Sequence, residues 1–113
     1  MTARIMVGAC PVHLEDGKHE FTIQLREPGN VTAVEWMPEE RLVVARGEPA
    51  FAEVITMFVE AHENGPLRNR RFIVLPTGAP AVVPDGYAAR CAGTAISARS
   101  GRVAHVFEIR EVS

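Results

Sequence analysis

Glu48-Pro49-Ala50-Phe51-Ala52-Glu53-Val54-Ile55-Thr56-Met57-Phe58-Val59-Glu60-Ala61-His62-Glu63-Asn64-Gly65 is the stretch on which the fold class turns. Pro49 stands where a helix would start, and Asn64-Gly65 where one would be capped. Phe51, Val54, Ile55, Phe58, Val59 and His62 recur at helical spacing. Local signals therefore favour a helix over 49–63. The same stretch, from Glu53 to Ala61, is also β-branched enough to form a strand. The choice decides between an all-β domain and an α+β one.

Outside this stretch the sequence reads as short strands, because proline and glycine punctuate it about every ten residues. Asp16-Gly17 is a hairpin signal, with Val12 and Leu14 before it. After it, Phe21, Ile23 and Leu25 alternate with Thr22, Gln24 and Arg26. Glu27-Pro28-Gly29-Asn30 makes a turn. Val31, Ala33, Glu35 and Met37 then share one face and Thr32, Val34 and Trp36 the other. Pro38 is expected to end that strand, and Arg41 to Arg46 to form another. Arg70 to Leu75 is an apolar run closed by Pro76, and Tyr87 to Ser97 is a strand of small residues. After the Ser100-Gly101 turn, Val103, His105, Phe107 and Ile109 alternate with Ala104, Val106, Glu108 and Arg110.

The chain has 113 residues, enough for one domain with a real core. Hydrophobic residues make up 47% and aromatics only 6%, so the core is aliphatic. A formal charge of −2 argues against a nucleic-acid coat. The uncharged stretch from Ile73 to Pro84 holds three prolines and cannot be a membrane helix. Val7-Gly8-Ala9-Cys10 matches a lipoprotein cleavage box, but Pro11 and His13 interrupt the apolar region, so a cytoplasmic start is expected. Cys10 and Cys91 are too few for a disulfide scaffold, and two reduced thiols are expected. Eleven of the twelve basic residues are Arg, which coding bias explains more simply than function.

Each chemical motif competes with a plainer explanation. Cys10-x-x-His13, with His19 near it, has no second ligand pair, so no metal or other cofactor is expected. Cys91 and His105 could meet in space, yet no nucleophile elbow is present, and His105 alternates with core residues. Glu15-Asp16 and Glu39-Glu40 sit in polar, turn-like contexts where carboxyls titrate normally. Trp36 and Tyr87 suit a partner interface as well as they suit core packing. Arg68-Asn69-Arg70-Arg71 is the strongest charge feature, and Thr77-Gly78 would add donors to it if the loops converge. Arg70 and Arg71 would point to opposite faces of a strand, and edge strands carry charge to block aggregation.

The second half of the chain carries Arg70-Arg71-Phe72-Ile73-Val74, Thr77-Gly78-Ala79-Pro80, Tyr87, and Ala104-His105-Val106-Phe107-Glu108. Together with Val34-Glu35-Trp36-Met37-Pro38, these resemble an uncharacterised family of small phage and prophage proteins. That family has an Arg-Phe-x-Ile strand, a Thr-Gly-His-Pro turn, a Tyr before a Gly-Thr pair and a closing His-Val-Phe-Glu. The likeness spans about His19 to Ile109. Ala79 stands where the family has His, Gly93-Thr94 lies farther from Tyr87, and Gly47 to Ala61 exceeds the family hairpin. Met1 to Lys18 is extra. The resemblance implies phage origin and a β-rich domain, and it makes Glu53 to Ala61 a strand. It implies no reaction.

The resulting expectation is an all-β, sandwich-like or small-barrel domain of seven or eight strands, with a helix at 49–63 as the α+β alternative. Residues 1–18 form an N-terminal extension of that one domain. The expected function is non-enzymatic: a phage accessory protein in the host cytoplasm that binds a protein partner or an anionic small molecule. Inhibition of a host defence protein or nucleotide signal is one form of it. Arg68, Arg70, Arg71, Thr77, Gly78 and Tyr87 are the expected contact residues. A virion or homo-oligomer component, and a small enzyme with a His/Cys pocket, are the alternatives. No membrane or nucleic-acid partner is expected.

Overall fold

The computed structural model describes residues 4–12, 19–43 and 48–112. Among them it holds seven strands: β1 Ile5–Pro11, β2 Glu20–Arg26, β3 Gly29–Val43, β4 Glu48–His62, β5 Leu67–Leu75, β6 Tyr87–Ile96 and β7 Val103–Glu111. They form two antiparallel sheets, ordered β1-β4-β3 and β2-β5-β7-β6, packed as an open sandwich with no closed barrel. No helix in the described residues is long and apolar enough to cross a membrane.

The helix favoured by local signals over 49–63 is overturned, since that segment is the central strand of the three-stranded sheet. Val54, Ile55, Thr56, Met57 and Val59 are all buried, on both faces of β4. A strand covered on both sides reads as a continuous apolar run, which periodicity alone cannot separate from a buried helix. Ladders to β1 and β3 on either side decide for strand.

Three further expectations change. β3 runs through Pro38 to Val43 instead of stopping there, so Glu39-Glu40 lies in a strand rather than a turn. Proline is tolerated because β3 is an edge strand, and its free side needs no donor. A bulge between Val31 and Ala33 makes Thr32 the extra residue, so Val31 joins Val34 and Trp36 against the core. Finally, β1 pairs with β4 and β2 with β5, so the segment between β1 and β2 crosses between sheets rather than closing a hairpin. Asp16-Gly17 itself lies outside the described residues, as does His13.

The core between the sheets centres on Met57, Phe72 and Val106, each fully buried, with Val34, Ile55, Val74 and Ala104 around them. Phe21 and Phe72 are cross-strand partners whose rings stack at 5.4 Å. β3 and β6 approach closely where a Cβ on Gly93 would sit 2.7 Å from Val34 Cγ2. Trp36 packs against this core with Arg102 at 5.4 Å over its ring, and its buried Nε1 finds no hydrogen-bond partner among the described residues. Cys10 and Cys91 are both free.

Candidate functional site

Alternation along β5 sends Arg70, Phe72 and Val74 to the inner face, while β7 sends Ala104, Val106 and Glu108 there. The pairing Phe72↔Glu108 sets Glu108 diagonally beside Arg70, and the two meet inside the sandwich. Arg70 Nε and Nη2 donate to both Glu108 oxygens at 2.8–3.2 Å, a fork-on-fork geometry. Its third nitrogen, Nη1, donates to the Gly29 carbonyl at 2.6 Å, tying β5 to the start of β3. Arg110, two residues along β7, donates to the same carboxylate. Burial by itself would push the Glu108 carboxyl up. The hydrogen bonds and charges of Arg110 and Arg70 outweigh it and hold the carboxyl below its ordinary range. The Glu108 bond in turn raises Arg110.

This ion pair opens onto two adjoining clefts. The first, of ≈ 270 Å³, is lined by Asn30, Arg70, Arg90, Cys91, Glu108 and Arg110. Arg90 stands directly across the ladder from Glu108. The second, of ≈ 370 Å³, holds Arg68, Arg71, Tyr87, Glu27 and Glu111, and shares Arg70, Glu108 and Arg110 with the first. It exists because the β5–β7 ladder stops at Arg71↔Ile109, so the start of β5 and the end of β7 part. Arg68 and Arg90 make no ion pair among the described residues.

Four of the expected contact residues, Arg68, Arg70, Arg71 and Tyr87, thus line one slot. Their roles differ. Arg70 is 8% exposed and saturated by Glu108 and Gly29, which makes it a structural cation. Arg71 faces the opposite side of the sheet, where it pairs with Glu20 at 2.7 Å with both side chains about half exposed. Arg68 is exposed and makes no ion pair among the described residues. Thr77 and Gly78 do not join this slot and lie instead beside His105. Arg90, Arg110 and Glu108 were not among the expected residues. A carboxylate in the apolar row Ala104, Val106, Glu108 was the available signal.

His105 sits on the outer face of β7 in line with Val103 and Phe107, as alternation predicts. Its Nε2 lies 2.8 Å from Thr77 Oγ1 and its Nδ1 3.1 Å from Thr94 Oγ1. Both ring nitrogens are therefore engaged by hydroxyls, not by Cys91 or a carboxylate. Thr77 opens the 76–86 segment, so the imidazole fastens that loop to the sheet. No family model, curated protein or solved structure matches the chain.

Proposed function

We propose that this protein acts by binding rather than by catalysis, and that the cleft around Glu108 receives an anionic group. The group belongs to a protein partner or to a small molecule such as a nucleotide, consistent with a phage accessory protein directed at its host. One observation carries the reading: Arg70 and Arg110 share a single carboxylate in a cleft of ≈ 270 Å³ that a third guanidinium, Arg90, also lines. Glu108 neutralises one of the three charges, and Arg90 makes no ion pair among the described residues. Unpaired guanidiniums at a concave site suit bidentate capture of phosphate or carboxylate. Arg68 extends the same field at the adjoining slot.

Calorimetry with ATP, inorganic pyrophosphate and an oligoglutamate peptide tests the reading. Arg90→Glu combined with Arg68→Glu is expected to weaken binding at least tenfold while leaving the melting temperature within a few degrees. Affinity should fall with added salt, because partly exposed charges are screened. Absence of binding by all three probes, or affinity unchanged in the double variant, refutes it.

A second reading, a self-associating structural component, draws on β1. This edge strand carries no charged residue from Ile5 to Pro11, and Ile5, Met6 and Val7 are 61%, 58% and 75% exposed. Uncharged apolar edges pair readily with other strands. Light scattering on wild type and Val7→Lys distinguishes this reading, which requires an oligomer that the lysine dissociates.

A further inference from the structure

The outer face of the four-stranded sheet holds a different site. Ile73, Leu75, Phe107 and Ile109 form an apolar stripe there, extended by Ala89 and covered at one end by the loop that follows β5. Between loop and stripe lies a pocket of ≈ 350 Å³, within the range of small-molecule sites. Pro76, Pro80 and Pro84 restrict the loop, and the Thr77–His105–Thr94 hydrogen bonds pin it, so the pocket does not depend on a ligand to form. Its two ends differ chemically. At one end stand His105 and Thr77. At the other, Arg71 is the cross-strand neighbour of Ile109 on the same face. Arg71 and Leu75 are four residues apart, a span of ~13 Å at about 3.3 Å per residue.

We propose that this groove binds a small amphiphilic carboxylate, with its apolar chain under the loop along Ile73 and Phe107 and its carboxylate on Arg71. The charge pattern commits the occupant: an apolar pocket with a guanidinium next to its Ile109 edge on the same face matches an apolar chain ending in one anion. Glu20 already pairs with Arg71, but that pair is half exposed, contributes little, and leaves part of the guanidinium fork for a second carboxylate. The pocket shares no lining residue with the ≈ 270 Å³ cleft of Arg90 and Glu108, and only Ile109 with the adjoining slot that Arg71 also borders.

The probe is decanoate below micelle-forming concentration, followed by titration calorimetry and amide shifts. Binding is expected to move the amides of Ile73, Leu75 and Phe107 selectively. Decanol, lacking the charge, should bind at least tenfold more weakly, and Arg71→Gln should bring decanoate down to the level of decanol. Ala89→Trp, on an exposed strand position, should fill the groove and abolish both. Arg90→Glu should leave decanoate binding unchanged, which separates this site from the anion cleft. No decanoate binding, equal affinity for decanol, or shifts confined to other amides overturns the proposal. So does an apolar C-terminal peptide that binds more tightly than decanoate at the same amides, since the occupant would then be a peptide.

Discussion

Glu108→Gln replaces the buried carboxylate with an amide of almost the same shape, so it isolates charge from packing. Arg70 and Glu108 are 8% and 7% exposed at the side chain, and the substitution leaves a largely buried guanidinium without its counter-charge. Removing one partner of a buried, hydrogen-bonded pair costs about 3–5 kcal/mol. The Gly29 carbonyl remains as an acceptor, and Arg110 no longer competes for charge, so the lower end, about 3 kcal/mol, is expected near pH 7. The pH dependence follows from the direction of the shift. The folded-state carboxyl is depressed, so its contribution is fully present above the unfolded pKa of about 4.3 and is lost as pH falls through the folded value. The gap between wild type and Glu108→Gln should therefore be widest at pH 6–7 and narrow steadily below about pH 4.5. Urea unfolding monitored through Trp36 fluorescence at several pH values measures it. A gap below about 1 kcal/mol at pH 7, or one independent of pH, would refute the argument that this buried pair stabilises the fold by tying β5 to β7.

Gly93→Ala should destabilise by about 1–3 kcal/mol, because its Cβ would press on Val34 Cγ2 at 2.7 Å and the sheets would have to part; urea midpoints check it, and a neutral effect contradicts the close approach. His105→Ala should release the Thr77 end of the loop, raising amide hydrogen exchange at Gly78 and Ala79 while global stability falls by only about 1 kcal/mol. Arg102→Gln removes the cation over Trp36 and should change Trp36 emission at a cost of about 0.5–1 kcal/mol; unchanged emission would place Arg102 elsewhere.

Strand identity was legible wherever one face is buried and the other wet. Phe21, Ile23 and Leu25 in β2 and the two interleaved rows of β7 announced themselves by period-two alternation. The site was half legible. The Arg68–Arg71 cluster is visible as a charge run, and the split between Arg70 and Arg71 follows from strand alternation alone. The meeting of Arg70 with Glu108 was not, since 38 residues separate them and only the β5–β7 register brings them together. Likewise Thr77 and Gly78 looked continuous with the arginines along the chain, yet the strand carries them to the other end of the sheet.

From its sequence alone this chain is an aliphatic-cored, strand-rich domain with alternating rows already marked on β2 and β7, because alternation is a local property of a half-buried strand. Tertiary structure decided the rest. It made 48–62 a strand, because ladders on both sides supply what an ambiguous apolar run cannot specify locally. It let β3 pass through Pro38, because that strand lies at an edge. It turned Arg70 of the charge run into an internal tie and left Arg68, Arg71 and Arg90 accessible to solvent, because burial and pairing are set by partners distant in the chain.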